Sequence, residues 1–418
     1  MQRVRDWQAK EICRSNFSLN KMKERVCVIT PIKYPVGGIR TYLKYTYGRL
    51  QPDKYSFTLV GPSRSWLERI QADLSDYDID IKWSGEGESN SAFFSAIFGC
   101  LLKKKPDIIH SQGYTAGMFS SAANFVFRFP HVITMHRIFG HDQFSSSFWE
   151  KNAAFKRHLI EFFLGRADVV QSVSNDAQAN LLEYFPGLLK MPGKARVIRN
   201  GINIHEFDKD KGSNIETFSK EPGIFYLGYF GRYMPEKGFP DLIEMVDILV
   251  NERNKRNIRL ITVGGFGEFI REYQKEIKRR DLWNFFQFLD FFENIGPVLR
   301  NVDVLMIPSL SEACPLIPME GLVCGTPVAA YSCLGLREVL TDTPARMVAV
   351  GDRVGLADQV IRIMDSYSRT KAEFDAFVPE ARQRFDSIHT ARELEAIFKE
   401  LIIARGEKNG REGRVTQS

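Results

Sequence analysis

The sequence predicts an α/β protein built from two doubly wound domains, each a parallel sheet with helices on both faces. Three observations carry this. Short, continuously apolar, β-branched runs alternate with helical patterns, as the buried strands of parallel sheets do. The alternation restarts after the polar segment "DKDKGSNIETFSKEPG" (208–223). The length, 418 residues, suits two domains of ordinary size.

The elements follow in order. Residues 1–22 are polar and irregular, a lead-in. "RVCVIT" (25–30) is the first strand, stopped by Pro31, and Gly37 and Gly38 make a turn before a helical pattern. "YSFTLVG" (55–61) is the next strand, and "FFSAIFGCLLKKK" (93–105) reads as an amphipathic helix. Strands follow at "PDIIHSQG" (106–113), "HVITMHR" (131–137), "ADVVQSVS" (167–174) and "ARVIRNGIN" (195–203). In the second set, strands fall at 224–232, 258–267, 285–292, 302–309 and 327–332, with helices near 239–253, 268–280, 294–300 and 316–324. The expected domains are therefore 23–207 and 224–385, joined by a linker at 208–223. A C-terminal helix at 386–405 can cross back to the first domain, and a disordered tail follows at 406–418.

Composition narrows the classes. Hydrophobic residues make up 44% and charged residues 26%, the balance of a soluble globular chain. The six cysteines form no C-x-x-C pair, which fits a reducing compartment. The N-terminus has no apolar h-region, and the most apolar run, 91–102, is too short to span a bilayer. A cytoplasmic protein is expected, either soluble or peripheral on the cytoplasmic membrane face. The net charge is +6, and residues 1–60 hold 12 Lys/Arg against 4 Asp/Glu. Such a basic front suits an anionic membrane or a phosphorylated substrate, or is merely a solvated face. No RNA-binding signature accompanies it, so nucleic acid is not expected as a partner.

Ligands of doubly wound sheets bind at strand carboxyl ends, so two facing sheets would bind something between them. Two loops stand out there. "SLSEACPLIPMEGLVCGTPVAA" (309–330) holds Glu312 and Glu320, with Pro315 and Pro318 at the start of a helix and Gly325 and Pro327 at its end. Unpaired N–H groups at that start suit an anion. Eight residues of helix span about 12 Å, so two carboxylates could accept hydroxyls on either side of a diphosphate. The plainer alternative is a helix-capping Glu312 and a solvated Glu320, and spacing does not exclude it. "FGRYMPEKGF" (230–239) adds Arg232 and Lys237 after the first strand of the second domain. Together they offer a fork and a point charge for phosphate, or only a basic turn. His110 reads as a satisfied core histidine. His131, His136 and His141 lie close in sequence but lack the cysteine or carboxylate spacing of a metal site. Gly265-Phe266-Gly267 reads as a loop near a nucleotide base, or a plain tight turn.

"GRYMPEKG", the pair Glu312 and Glu320, and "CGTPV" together resemble the retaining GT-B glycosyltransferases of family 4, whose domains are Rossmann-like. "GGIRTYL" (37–43), "PDIIHSQG", "VITMHR" and "VIRNGIN" extend the resemblance over most of the chain. It implies that Arg232 and Lys237 hold a diphosphate, Glu320 the ribose hydroxyls, and Glu312 the donor sugar near the reacting carbon. It also implies that backbone N–H groups at Leu316 and Ile317 meet phosphate or sugar, that Gly37 and Gly38 form the phosphate loop of the first domain, and that His136 orients the donor sugar. No metal or other cofactor is implied. The implied partners are a nucleotide-sugar donor and a glycan or lipid-linked acceptor, as in polysaccharide, lipopolysaccharide or glycolipid synthesis. The chain departs from the family at Ala313-Cys314, Gly321-Leu322, Leu334 and Gln112, which bears on the sugar rather than the fold. The alternatives are a sugar-nucleotide epimerase or phosphorylase on the same fold, or a non-catalytic sugar-nucleotide-binding protein. A nicotinamide enzyme is disfavoured, since no full G-x-G-x-x-G follows the first strand.

Overall fold

The computed structural model describes residues 25–34, 37–85, 89–140, 153–208, 218–264, 269–290 and 292–415. The lead-in, His141 and Gly265-Phe266-Gly267 lie outside the described residues.

Two parallel sheets form, as the apolar runs predict. The first has strands β1 (Val26–Pro31), β2 (Tyr55–Gly61), β3 (Asp78–Trp83), β4 (Ile108–Gln112), β5 (His131–Met135), β6 (Val169–Ser172) and β7 (Ala195–Val197), in the order β3-β2-β1-β4-β5-β6-β7. Its register is set at β1, where Val26 faces Tyr55 of β2 and Val28 faces Ile108 of β4. The second has β8 (Phe225–Phe230), β9 (Ile258–Val263), β10 (Phe286–Leu289), β11 (Val304–Ile307), β12 (Val328–Tyr331) and β13 (Arg346–Val348), in the order β10-β9-β8-β11-β12-β13. There Leu227 of β8 faces Leu260 of β9 on one side and Val304 of β11 on the other. The order reverses between β8 and β11, so the loops leaving those two strands open a crevice at their carboxyl ends.

The helices are α1 (Gly37–Tyr47), α2 (Arg64–Asp73), α3 (Asn90–Lys104), α4 (Gly113–Ala123), α5 (Ala153–Arg166), α6 (Asn175–Tyr184), α7 (Phe239–Asp247), α8 (Ile270–Arg279), α9 (Gly296–Asn301), α10 (Ile317–Val323), α11 (Leu336–Leu340), α12 (Arg353–Asp365), α13 (Tyr367–Phe385) and α14 (Ser387–Val415). In the first sheet's core, Phe93, Ile97 and Leu101 of α3 pack with Ile29, Val60 and Ile109. In the second, Phe239, Leu242 and Val246 of α7 pack with Leu227, Leu260 and Val304. At roughly 1.5–3 kcal/mol per fully buried large side chain, these clusters are the main stabilising term of each sheet.

By contacts, the chain divides into one unit of residues 1–133, 166–168 and 395–418 and another of 134–165 and 169–394. Residues 169–200 cluster with the second unit because their polar groups are bonded there: Ser174 Oγ donates to the Ala313 carbonyl and Asn200 Nδ2 to that of Cys314. The described part of the expected linker is anchored too. Phe218 is buried with its ring 5.1 Å from Tyr226, and Lys220 pairs with Asp303 at 2.6 Å. The expected disordered tail is corrected in part. Helix α14 runs on from Ser387 to Val415, so the backbone of 406–415 is helical. Among the described residues no helix is long and apolar enough to cross a membrane.

Candidate active site

The loops after β8 and β11 meet at the switch point of the second sheet. The first leaves β8 at Gly231, whose N–H bonds the Val263 carbonyl at 3.1 Å, and turns through Met234 and Pro235. It ends at Gly238, where φ is +69° and a Cβ would lie 1.9 Å from the Pro308 carbonyl oxygen. Only glycine lets the two loops close to this distance. A further bond, from Leu310 N–H to the Glu236 carbonyl at 2.9 Å, ties them together.

This packing joins two of the residues singled out from sequence. Lys237 Nζ lies 2.7 Å from Glu312 Oε1, and Ser309 Oγ donates to the same oxygen at 2.8 Å. Both charged side chains are largely buried, at 25% and 13% exposure. Glu312 is therefore neither a helix cap nor a solvated acid; it is the shared acceptor of a lysine and a serine. Ser309 was not singled out, because a serine three residues before a glutamate carries no signal of its own.

Glu320 is buried at 5% exposure in the first turn of α10, with its N–H on the Leu316 carbonyl at 3.0 Å. The solvated alternative fails for it as well. Leu316 caps α10, Ile317 begins it, and Pro318 occupies the first turn, where a missing N–H costs nothing. At seven residues the helix is shorter than the expected 316–324. Gly321, where the resemblance expects alanine, allows α10 to sit directly on β11: a Cβ there would meet Leu305 at 2.5 Å.

Behind Glu312, Gly335 (φ +71°) lets its backbone approach the carbonyls of Ala313 and Glu312, to which a Cβ would be 2.3 and 2.4 Å. Glu338 accepts from Asn175, from the Asp176 N–H and from Arg199, while Asp176 takes a bidentate bond from Arg337. The Arg337 guanidinium holds the Asp176 carboxyl below its ordinary range. These contacts fix the backbone that presents Glu312. Burial pushes the Cys314 and Cys333 thiols up to about 12, so neither is a thiolate nucleophile near neutrality.

The remaining predicted residues are distributed. Arg232 follows Gly231 with its side chain 52% exposed and 3.9 Å from Glu236, a weak surface pair. His136 stands directly after β5 within the second unit, and desolvation pushes its imidazole down to about 3, so the ring is neutral near pH 7. Gly37 and Gly38 are exposed in the first turn of α1, in the first unit, with open space where a Cβ would stand. His110 is a core residue, bonded to the Tyr47 hydroxyl at 2.7 Å, and His131 is bonded to Ser111 at 2.9 Å. Among the described residues no three His, Cys, Asp or Glu side chains gather as a metal site would require.

Residues 36–206 match the family described as Glycosyltransferase Family 4, and residues 224–366 that described as Glycosyl transferases group 1. A D-inositol 3-phosphate glycosyltransferase of Corynebacterium efficiens is 24% identical over 315 residues, covering 71% of this chain and 72% of that one. Among solved structures, Anabaena HepE in complex with UDP-glucose superposes with a TM-score of 0.73 at 19% identity, over 90% of this chain and 100% of that one. Sucrose-phosphate synthase from Thermosynechococcus elongatus gives 0.75 at 17% identity, over 91% and 100%. These likenesses establish a shared fold.

Proposed function

Because the chain belongs to the group 1, family 4 glycosyltransferases and has their GT-B fold, we propose that it moves a hexosyl group from a nucleoside-diphosphate-sugar to an acceptor hydroxyl, with retention at the anomeric carbon. The observation that carries this reading is the buried Lys237–Glu312 pair at the switch point of the second sheet. Lysine has three N–H donors, and Glu312 takes one of them. The others suit a diphosphate, with the exposed Arg232 adding a planar fork. Glu312 then stands between the phosphates and the sugar, and Glu320, in the first turn of α10, receives the ribose hydroxyls. Backbone N–H groups at Leu316 and Ile317 add donors for phosphate or sugar. The neutral His136 ring orients the donor sugar. Gly37 and Gly38 are assigned to the phosphates by resemblance alone. The chemistry is front-face substitution, in which the departing phosphate takes the acceptor's proton. The site contributes charge stabilisation and positioning, with lysine and arginine in place of a metal. HepE was solved with UDP-glucose, and the corynebacterial relative is named D-inositol 3-phosphate glycosyltransferase. Those names support a nucleotide-sugar donor here, and a glycan or lipid-linked acceptor at the surface of an anionic membrane is the partner we favour.

Thermal-shift screening with UDP, GDP and ADP, followed by transfer assays with the matching sugars, tests this. One nucleoside diphosphate should raise the midpoint, since a ligand of the native state stabilises it by mass action. The effect should be lost in the Arg232→Ala/Lys237→Ala double variant, while affinity for the free nucleoside persists. Transfer should survive EDTA. Donor conversion with no acceptor present would point to an epimerase, and binding without turnover to a non-catalytic protein.

A further inference from the structure

The solvent-facing side of α3 is apolar where an ordinary surface helix is polar. Its inward residues Phe93, Ile97, Cys100 and Leu101 belong to the first sheet's core. Its outward row still carries Phe98, 36% exposed, and Leu102, 56% exposed. The turn after α4 behaves in the same way, leaving Phe125 and Val126 exposed at 56% and 74%. The two segments adjoin: the Phe98 and Phe127 rings lie 5.2 Å apart, and Phe127 stacks on Phe129 at 5.8 Å, anchoring the patch in the core. Single exposed apolar residues need no explanation, whereas four on adjoining segments do.

The rim is cationic. Lys103 and Lys105 end α3, Arg128 follows the turn, and Arg166 lies over the Phe125 ring at 4.7 Å, all exposed. Asp80, a carboxylate on this rim, is paired with Lys104. Asp107 and Asp168 are committed to the N–H groups of Cys27 and His131. Aromatic and aliphatic side chains ringed by lysine and arginine match the boundary of a bilayer with anionic headgroups, where apolar groups enter the acyl region and the cations meet phosphate. The segments immediately precede β4 and β5, so the patch lies at the amino-terminal edge of the sheet. Ligands of such sheets bind at the opposite edge.

We infer that Phe98, Leu102, Phe125 and Val126, rimmed by Lys103, Lys105 and Arg128, form the face by which this protein docks on an anionic lipid bilayer. The inference goes beyond the proposed reaction: it stands on the patch and its cationic rim alone, and its test needs no sugar transfer. The full chain is co-sedimented with vesicles of equimolar phosphatidylglycerol and phosphatidylcholine, and with phosphatidylcholine alone, at low and high salt. It should bind the anionic vesicles, and less so at high salt. Leu102→Ser/Val126→Ser and, separately, Lys103→Gln/Lys105→Asn should each weaken binding about tenfold or more, given the contribution of each near-surface cation and buried apolar group. Asn tolerates the left-handed backbone of Lys105, so the second pair removes charge without strain. Both pairs should keep the nucleoside diphosphate thermal shift, which separates this face from the donor site. Wild type that ignores anionic vesicles, variants that bind like wild type, or equal binding to neutral vesicles would overturn the proposal. So would a concentration-dependent dimer abolished by Leu102→Ser/Val126→Ser, which would give the face to a second copy.

Discussion

Glu312 and Glu320 sit in one loop–helix segment but in different circumstances, and their substitutions should separate. Glu312 is held by Lys237 and Ser309. Removing it frees Lys237 and adds net positive charge beside the phosphates, so Glu312→Ala should lower turnover without weakening nucleoside diphosphate binding. Glu320→Ala should weaken that binding by about 1.5–3 kcal/mol, the worth of a hydrogen bond to a charged acceptor. Calorimetry beside steady-state kinetics checks both, and identical losses in the two variants would undo the division of roles. His136 has a signature of its own. Its imidazole sits near 3 in the fold against 6.5 ordinarily, because burial disfavours the cation. Between those values the unfolded chain binds the proton more readily, so stability falls as pH drops from 6.5 towards 3 and is untouched by this group above 6.5. His136→Gln should therefore lose less stability than wild type between pH 7 and pH 5 in urea unfolding. Equal losses would mean that the ring is not desolvated.

Among the elements, the turn at Gly238 couples the loop after β8 to the end of β11. Gly238→Ala forces both a positive φ and a clash with Pro308, and the paired loops must separate to relieve it. We expect a loss of about 2 kcal/mol or more in urea unfolding, together with loss of the nucleoside diphosphate thermal shift. Wild-type stability would show that the loops are not locked there. What sequence made legible at this scale follows from burial. Strands β1, β2, β4 and β8 are apolar on both faces and stand out as runs. Strand β3, "DIDIKW", does not show in sequence because it is an edge strand whose exposed positions break its pattern. Among site residues, Lys237 and Glu312 were visible because loops after parallel strands are where charges gather. Their direct bond, and the Asp176, Arg199 and Glu338 contacts behind them, depend on tertiary approach that no local pattern records.

At the scale of the whole molecule, the first unit is discontinuous in sequence: it takes in residues 395–418. From α14, Glu395 accepts from the Tyr55 hydroxyl, Phe398 lies against the Tyr55 and His110 rings at 6.4 and 5.4 Å, and Arg405 bonds the Pro106 carbonyl. Truncation after Leu394 should therefore unfold the first unit while leaving the nucleoside diphosphate shift of the second measurable; loss of the second unit first would contradict this. Synthesis imposes the same dependence in time. Residues 26–133 emerge early with one wall of their core absent, and residues 134–394 must be made before Phe398 arrives. At about 5–20 residues per second that is a wait of about 10–50 s. For that interval Tyr55 and the buried His110 are open to solvent, and the nascent first unit depends on whatever shields unfinished chains at the ribosome.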